Sequence, residues 1–293
     1  MREIKTISVV ICTRNRANVL EQCLVRFKTI VLQSDVSLEL IVVDNNSSDD
    51  TKSIVLDFIK QSAATVKYVY EIRPGLSHAR NAGIDAASGE IIAFTDDDCF
   101  VDPNWLFCII KEFQTDPTLS GIGGRIELYD SRDKPVTIRT SQIRSVFSST
   151  DDVFGFIQGC NMAFRHEVFD QIGNFDVRFG AGTILKSAED CDFIYRVYKN
   201  GFKMLYSPDA CVYHNHGRRT NPQVYDLNRG YTIGKGAFFC KHILNGDVNI
   251  LKNAYWDISA TLRMLYYLFL GTWYFLIVFG RSIIANAWLR MAK

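Results

Sequence analysis

The sequence predicts an α/β protein with a mostly parallel, doubly wound β-sheet, followed by a helical C-terminal segment associated with a membrane. Apolar, β-branched runs alternate with amphipathic helical segments in the first half of the chain. Polar residues follow where these apolar runs end. From about residue 223 the chain becomes aromatic and basic and then strongly apolar. We therefore predict an α/β domain over residues 1–222 and a helical region over residues 223–293.

Composition limits the class of protein. A chain of 293 residues with 47% hydrophobic and 22% charged residues is typical of a globular protein with a sizeable core. The net charge of +1 gives no indication of nucleic-acid binding, and we expect no nucleic-acid partner. The eight cysteines are scattered without a Cys-x-x-Cys pair, which favours a reducing compartment over a disulfide framework.

Strands and helices are predicted in alternation. Residues 7–12 are apolar and β-branched, which is typical of a strand buried on both faces. The further predicted strands are 38–43, 66–70, a run from residue 91 that ends at the acidic residues 96–98, and a pair at 201–208 and 209–213. The predicted helices are about 17–30, 50–61, 77–88 and 187–197.

Three polar clusters end predicted strands: Thr13-Arg14, Asp44-Asn45 and Asp96-Asp97-Asp98. In a doubly wound sheet, ligands bind outside the carboxyl ends of the strands, so we expect these clusters on one rim. Three adjacent carboxylates repel one another, and a divalent cation with oxygen ligands would neutralise them. A solvated acidic turn is the alternative for the aspartates alone. The convergence of three clusters favours the metal site.

Phosphate-binding loops are missing from the sequence. No Gly-x-Gly-x-x-Gly follows the first strand and no P-loop motif occurs, which disfavours a nicotinamide enzyme and a P-loop nucleotidase. The charge of bound phosphates would instead be neutralised by a metal and by basic side chains. Arg14, Arg73 and Arg80 are the candidates, because guanidinium groups pair well with phosphate oxygens.

Several motifs together resemble the family 2 glycosyltransferases, which have the Rossmann-like GT-A fold and an Asp-x-Asp motif. In chain order, the matching segments are residues 44–49, 75–83, 94–98, 159–165 and 172–176, and the pair Glu189-Asp190. The resemblance covers roughly residues 5–215. It implies transfer of a sugar, with inversion, from a nucleotide-diphosphate donor to a hydroxyl of a glycan or lipid-linked acceptor, for polysaccharide or cell-envelope glycan synthesis.

The resemblance also implies roles for individual residues. The divalent metal, Mn²⁺ or Mg²⁺, would be held by Asp96, Asp98 and His214, with His216 as the fallback for His214 and a surface histidine as the alternative. Asn45 replaces a carboxylate that is frequent in the family, which changes the expected base contact. The nucleotide-sugar positions are Thr13, Arg14, Asn15, Asp44, Asn45, Arg80, Asp96 and Asp97, with Asp97 near the sugar, and the acceptor or donor-sugar positions are Gly159, Asn161 and Glu189.

By the same resemblance, Asp190 is the general base. The chemistry independently requires a metal that stabilises the leaving diphosphate and one separate carboxylate that takes the acceptor proton. Acids in a first helical turn can instead complement the helix dipole, an effect of only ~0.3–1 kcal/mol. Gly180 and Gly182 predict a mobile loop that closes over the donor.

The C-terminal region contains a hydrophobic segment, about 254–289, predicted to be membrane-associated. Its uncharged stretch, 264–280, is slightly shorter than the ~20 residues of a spanning helix, and Tyr, Trp and flanking Arg residues favour the lipid interface. A crossing helix, an in-plane or re-entrant helical pair and a buried helix stay open. We expect the protein at the cytoplasmic face of a membrane, the inner or plasma membrane in a bacterium.

Two other functions are compatible with this fold. One is a non-catalytic membrane protein that binds nucleotide-sugar, but such a protein has no need of a separate base. The other is a metal-dependent nucleotidyltransferase, but the Gly-rich, lysine-bearing loop after the first strand is missing here.

Overall fold

The computed structural model describes residues 3–149, 151–247, 249–250 and 269–270. In chain order these residues form β1 Thr6–Thr13, α1 Ala17–Arg26, a 3-10 helix Phe27–Thr29, β2 Ser37–Asp44, α2 Thr51–Gln61, β3 Thr65–Tyr70, α3 Leu76–Ala86, β4 Ile91–Asp96, β5 Cys99–Val101, α4 Trp105–Thr115, β6 Leu119–Leu128, β7 Ser145–Val146, β8 Asn161–Arg165, α5 His166–Ile172, α6 Glu189–Lys199, β9 Lys203–His214 and α7 Asn221–Leu244.

The first four strands form the predicted parallel sheet, in the order β3-β2-β1-β4. The register pairs Thr13 with Asp44 and Cys12 with Asp96. The polar residues that follow β1, β2 and β4 therefore lie at one edge of the sheet, as the strand-end rule predicts.

The second half of the sheet is mixed, so the prediction of a mostly parallel sheet is right only for the first four strands. β8 lies antiparallel between β4 and β6, β9 runs parallel to β6, and β5 and β7 pair antiparallel with β9. β6 carries glycines because neighbouring side chains approach its backbone closely. A Cβ at Gly121 would lie 2.5 Å from the Phe164 ring, and one at Gly123 would lie 2.6 Å from Ile157.

The predicted pair of strands at 201–208 and 209–213 is a single strand, β9. It stays continuous because β6 pairs with it along almost its whole length. The pairing shifts register between Gly124 and Arg125, and Pro208 lies in the irregularity that results. A proline fits there because it has no N–H to donate to a ladder. Arg125 Nε donates to the Pro208 carbonyl and holds the bulge.

Both faces of the sheet are covered, which confirms the doubly wound α/β arrangement. One hydrophobic cluster lies under α1, α2 and α4 and includes Leu20, Val55 and Trp105. The other lies under α3, α5 and α6 and includes Phe169 and Phe193, whose rings stack with centroids 4.9 Å apart.

Helix α7 packs against the second of these clusters, into which it buries Phe238 and Phe239. The fully buried carboxylate of Asp192 on α6 accepts hydrogen bonds from Lys241 (2.5 Å) and Arg196 (2.9 Å). The boundary at 222/223 stays a prediction. Apart from residues 269–270, the apolar segment 254–289 lies outside the described residues. Among the helices that are described, none is both long and apolar enough to cross a membrane.

Candidate active site

A cleft of about 870 Å³ opens at the carboxyl ends of β1 and β4, and residues of later segments, including Gly159, Asp190 and His214, also line it. It brings together residues that are up to about two hundred positions apart in the sequence. The predicted site residues that line it are Thr13, Arg14, Asn45, Arg80, Asp96, Asp97, Asp98, Gly159, Glu189, Asp190 and His214.

Five of the predicted site residues and candidates do not line the cleft: Asn15, Asp44, Arg73, Asn161 and His216. Asn161 is the clearest of them. Its Oδ1 accepts a hydrogen bond from Trp105 Nε1, and its Nδ2 donates to the carbonyls of Arg125 and Ala210. With its amide used in this way and the residue buried, Asn161 joins α4, β6 and β9. In this position Asn161 has a structural role, and its predicted sugar contact stays a prediction.

Asp44 and Asn15 also lie outside the cleft lining. The Asp44 carboxylate accepts hydrogen bonds from the Ser47 N–H (2.8 Å) and the Tyr68 hydroxyl (2.7 Å). Asn15 has φ 53° and accepts a hydrogen bond from the Ser48 N–H. Both residues shape the loop after β2. A nucleotide contact of Asp44 or Asn15 stays a prediction.

Asn45 lines the cleft and fixes the loop that leads to α3. Its Nδ2 donates to the carbonyls of Glu71 and Arg73, and its Oδ1 accepts from the Gly75 N–H. Arg73, a phosphate candidate in the sequence, instead forms a two-pronged pair with Glu71 outside the cleft lining. Arg14 is exposed on the cleft wall. Of these two arginines, only Arg14 lines the cleft.

Arg16 bridges two of the three aspartates, which the sequence analysis did not predict. Its Nη1 lies 2.7 Å from Asp97 Oδ1, and its Nη2 lies 2.9 Å from Asp98 Oδ2. Thr13 donates to the second oxygen of Asp97. Arg16 comes three residues after the end of β1 and two residues after Arg14. This position was the only feature of the local sequence that pointed to a role for Arg16. Asp97 is held at the back of the site, whereas Asp96 keeps 34% of its side chain exposed.

Burial and charge act on these carboxylates in opposite directions. Burial, partly offset by Arg16, raises the pKa of Asp97 to about 7. Burial would also raise the pKa of Asp98, but the hydrogen bond from His214 and the charges of His214 and Arg16 lower it overall. Burial would lower the pKa of His214, yet its contact with Asp98 raises it to about 9. Asp98 is therefore the most strongly ionised member of the acidic run.

All three predicted metal ligands, Asp96, Asp98 and His214, line the cleft, and the types of their donor atoms suit Mn²⁺ or Mg²⁺. Carboxylate oxygens with one imidazole nitrogen are ligands that such cations accept. His214 Nε2 lies 3.4 Å from Asp98 Oδ1, and its Nδ1 lies 3.2 Å from Thr137 Oγ1, which fixes the ring orientation. His216, the fallback candidate, does not line the cleft, and its Nδ1 accepts from the Arg218 N–H. The geometry favours His214.

Arg80 connects the acidic run to Glu189, which directly precedes the predicted base Asp190. It is buried, and its guanidinium lies 2.8 Å from Glu189 Oε1 and 3.6 Å from Asp96 Oδ1. Its charge is thus shared between two carboxylates of the protein. Burial, reinforced by the charge of Asp190, raises the pKa of Glu189 to about 7, although Arg80 opposes this shift. A nucleotide contact of Arg80 stays a prediction.

Asp190 lies at the start of α6, and two backbone N–H groups hold its carboxylate. Its Oδ2 accepts a hydrogen bond from the Gly159 N–H and its Oδ1 accepts one from the Cys191 N–H, both at 2.8 Å. Gly159 must be a glycine here, since a Cβ would lie 2.5 Å from Arg80 Nη2 and 3.1 Å from Asp190 Oδ2. This close packing presents one carboxylate to the cleft in a fixed orientation.

The segment that precedes Asp190 is tied to the first turn of α3. The Leu76 N–H donates to the Ala181 carbonyl, and the Ser77 hydroxyl donates to the Phe179 carbonyl. Gly180 and Gly182 have φ values of 104° and 85°, which favour glycine. Closure of this segment over a donor stays a prediction.

Helix α7 supplies part of the cleft wall, which the sequence analysis did not predict. Asn228, Tyr231, Thr232 and Lys235 all line the cleft. Lys235 Nζ lies 4.6 Å from the centre of the Phe154 ring. The mixed aromatic and basic composition of this helix was visible in the sequence, but its position in the cleft that Asp190 also lines depends on packing against α6.

Comparison with known proteins identifies the family of this α/β protein. The family model described as "Glycosyl transferase family 2" matches residues 8–173. The family model described as "Glycosyl transferase family group 2" matches residues 91–291. The chain belongs to glycosyl transferase family 2, as the motifs predicted.

Curated relatives are similar over different parts of the chain. An uncharacterized glycosyltransferase of Nostoc sp. is 27% identical over 177 residues, which is 58% of this chain and 54% of the relative, so the chain spans about half of that protein. A glucosyl-dolichyl phosphate glucuronosyltransferase of Haloferax volcanii is 23% identical, covering 71% and 68%. A GalNAc(5)-diNAcBac-PP-undecaprenol beta-1,3-glucosyltransferase of Campylobacter jejuni is 42% identical over 94 residues, covering 31% and 29%.

Solved structures share the fold. A mannosyltransferase from Pyrobaculum calidifontis, in complex with GDP-Man and Mn²⁺, superposes with a TM-score of 0.67 at 18% identity, covering 98% of this chain and 80% of that one. S. aureus TarS in complex with UDP-GlcNAc gives a TM-score of 0.59 at 17% identity, covering 78% and 65%. At these identities the similarity shows the fold, and it agrees with the GT-A architecture.

Proposed function

We propose that the protein is an inverting, metal-dependent glycosyltransferase. It would transfer a sugar from a nucleotide-diphosphate donor to a hydroxyl of a glycan or lipid-linked acceptor. The observation that carries this proposal is the position of Asp190, a single oriented carboxylate on a different element from the acidic run. A single displacement needs one carboxylate that accepts the proton of the acceptor and a separate acidic site whose bound metal stabilises the leaving diphosphate.

The geometry of Asp190 suits a general base. Two backbone N–H groups fix its carboxylate, so its remaining lone pairs can accept the proton of an acceptor hydroxyl in the cleft. That hydroxyl oxygen forms the new bond to the anomeric carbon as the bond to the diphosphate oxygen breaks. The nucleoside diphosphate leaves with the bonding electrons, and attack from the opposite face inverts the configuration.

Asp96, Asp98 and His214 would hold the cation, which when bound would supply Lewis-acid stabilisation of the leaving diphosphate. The protein contributes the orientation of these ligands. Arg16 and Thr13 hold Asp97 and Asp98, and Thr137 holds His214. The complex of the Pyrobaculum protein with GDP-Man and Mn²⁺ supports a nucleotide-sugar donor and a divalent metal here.

A lipid-linked acceptor is favoured by two relatives, whose names include a dolichyl phosphate and a PP-undecaprenol. The uncharged stretch 264–280 supports the further proposal that the protein acts at a membrane. The scattered cysteines favour the cytoplasmic face of that membrane. The transfer product would then belong to a polysaccharide or a cell-envelope glycan.

The donor and the metal can be tested together with detergent-solubilised full-length protein. A thermal-shift screen of nucleotide sugars with and without Mn²⁺ should find one donor that raises Tm only when the metal is present. Asp98→Asn should reduce this metal-dependent shift, whereas the exposed Asp226→Asn should keep it. A full shift in Asp98→Asn contradicts the assigned metal ligand.

Transfer by the variants tests the base. We expect Asp190→Asn to lower the transfer rate by at least ~10²-fold, the scale of general-base catalysis, while the donor-induced thermal shift persists. Asp226→Asn again serves as the control. Wild-type transfer by Asp190→Asn would refute the role of Asp190, and retention of configuration in the product would refute the single displacement.

A further inference from the structure

Two cysteines lie directly behind the acidic run, next to His214. We propose that Cys99, Cys160 and His214 form a second metal site, selective for a thiophilic divalent cation such as Zn²⁺ or Cd²⁺. Occupancy of this site inhibits transfer, because it takes His214 and Asp98 away from the site proposed for Mn²⁺ or Mg²⁺. The binding itself does not depend on the proposed function, whereas the inhibition rests on it.

The three side chains already lie close enough to share one ion. Cys99 Sγ, Cys160 Sγ and a ring nitrogen of His214 all lie within 4.8 Å of one another, and all three residues are buried. Cys99 and His214 face each other in the antiparallel pair β5–β9, and Cys160 immediately precedes β8. Three backbone segments that are fixed by the sheet therefore position the donors before any ion binds.

A fourth ligand is at hand. Asp98 Oδ1 lies 3.9 Å from Cys99 Sγ and 3.4 Å from His214 Nε2. Two sulfurs, one imidazole nitrogen and one carboxylate oxygen form a set that suits tetrahedral Zn²⁺. Mn²⁺ and Mg²⁺ prefer oxygen-rich sites with more ligands, so they would not compete well for the two thiols.

The cleft gives access to this cluster. Cys160 and His214 line the cleft, whereas Cys99 lies behind them. A cation can enter along the route of the nucleotide-sugar, and the two thiols release their protons to solvent as they ligate it. Since His214 and Asp98 belong to both ligand sets, the two kinds of cation exclude each other.

Spectroscopy of full-length, chelator-treated protein tests the binding. Titration with Cd²⁺ should produce an ultraviolet thiolate-to-metal absorption band that saturates at one ion per chain. Cys160→Ser should lose this band. Cys108→Ser is the matched control, because Cys108 is more exposed and lies on α4, outside the cluster. The proposal is overturned if the wild type gives no band or if Cys160→Ser keeps the full band.

A measurement without variants guards against misfolding of Cys160→Ser. X-ray absorption of the wild type, loaded with one Zn²⁺, should show two sulfur ligands together with lighter ligands that include imidazole. A shell without sulfur overturns the proposal.

Inhibition is measured separately, with each variant compared to its own rate in Mn²⁺. The half-inhibitory Zn²⁺ concentration should rise at least ~10-fold in Cys160→Ser and stay unchanged in Cys108→Ser. Loss of a residue that only orients a metal ligand already weakens binding by about 10-fold or more, and loss of a ligand itself should cost at least as much. Sulfur-bound Zn²⁺ that leaves the wild-type rate unchanged refutes the inhibitory role. An absence of transfer in every preparation counts against the proposed function and leaves the binding result intact.

Discussion

Arg80 Nη1 lies 2.8 Å from Glu189 Oε1, in a buried ion pair between α3 and the start of α6. The two residues are 109 positions apart in the sequence. The same guanidinium lies 3.6 Å from Asp96. Through this one side chain, Asp96 and the segment that carries Asp190 are held at a fixed separation.

Arg80→Met should therefore destabilise the protein strongly. The substitution leaves Glu189 and Asp96 without their buried counter-charge, a loss of about 3 kcal/mol or more in unfolding free energy. Since Arg80 lowers the pKa of Glu189, its removal moves that pKa above about 7, so the loss should be larger at high pH and shrink on acidification. Urea denaturation of wild type and variant, at pH values on both sides of 7, measures this loss of unfolding free energy.

The control for this experiment is Arg144→Met, which breaks a pair with Glu112 on the surface. About half of the Arg144 side chain is exposed, so the expected loss is below ~1 kcal/mol. Equal effects of the two substitutions would show that the Arg80 pair has no special importance.

Arg16→Lys should weaken metal binding without unfolding the protein. A lysine carries the charge but cannot bridge Asp97 and Asp98 in the two-pronged way of a guanidinium. We expect the affinity for Mn²⁺, measured by calorimetry in the presence of nucleoside diphosphate, to fall by about 10-fold, a typical effect of residues that orient metal ligands. Arg132→Lys, at an exposed pair with Asp130, should leave the affinity unchanged.

Gly159→Ala should impair transfer more than stability. The added Cβ would lie 2.5 Å from Arg80 Nη2, so the guanidinium and the Asp190 carboxylate must move. Small overpacking of this kind costs about 1–3 kcal/mol, and a displaced base lowers the rate by ~10²-fold. Gly155→Ala, whose Cβ would meet its nearest neighbour at 3.6 Å, is the control. Wild-type kinetics in Gly159→Ala would contradict the assigned position of the base.

The ionised carboxylate of Glu39, outside the cleft lining, should make a pH-dependent contribution to the free energy of unfolding. Burial raises its pKa, but the Lys67 pair and hydrogen bonds from Ser8 and Ser88 lower it overall to about 2, from an ordinary value of 4.5. The ionised form is therefore favoured by folding, and its stabilisation is present above pH 4.5 and lost as the pH falls through about 2. With allowance for the half-exposed Lys67, it amounts to about 2 kcal/mol.

Glu39→Gln should remove this contribution. The difference in unfolding free energy between wild type and variant should be constant near neutral pH and vanish at strongly acidic pH. Asp57→Asn, at an exposed pair with Lys60, should show little difference at any pH. A Glu39→Gln difference that grows on acidification would reverse the predicted sign.

The local sequence determined the first half of the sheet and the helices that cover it. Residues 7–12 and 38–43 are β-branched and apolar along their whole length, a pattern that suits a strand buried on both faces. The ends of these strands also predicted where the cleft opens, because the carboxyl ends of parallel strands share one edge. The motifs predicted the family from the sequence alone, and the matches to the family models confirm that prediction.

The roles of single polar residues were decided by tertiary structure. Asn161, predicted to contact a sugar, hydrogen-bonds to α4, β6 and β9, whereas Arg16, not predicted at all, holds two aspartates of the site. β9 was predicted as two strands, 201–208 and 209–213, and only pairing with β6 makes it continuous. A strand or helix depends on residues next to it in the chain, which the sequence displays. The partner of a buried polar side chain comes from segments far away, and only the folded arrangement of those segments decides which partner it meets.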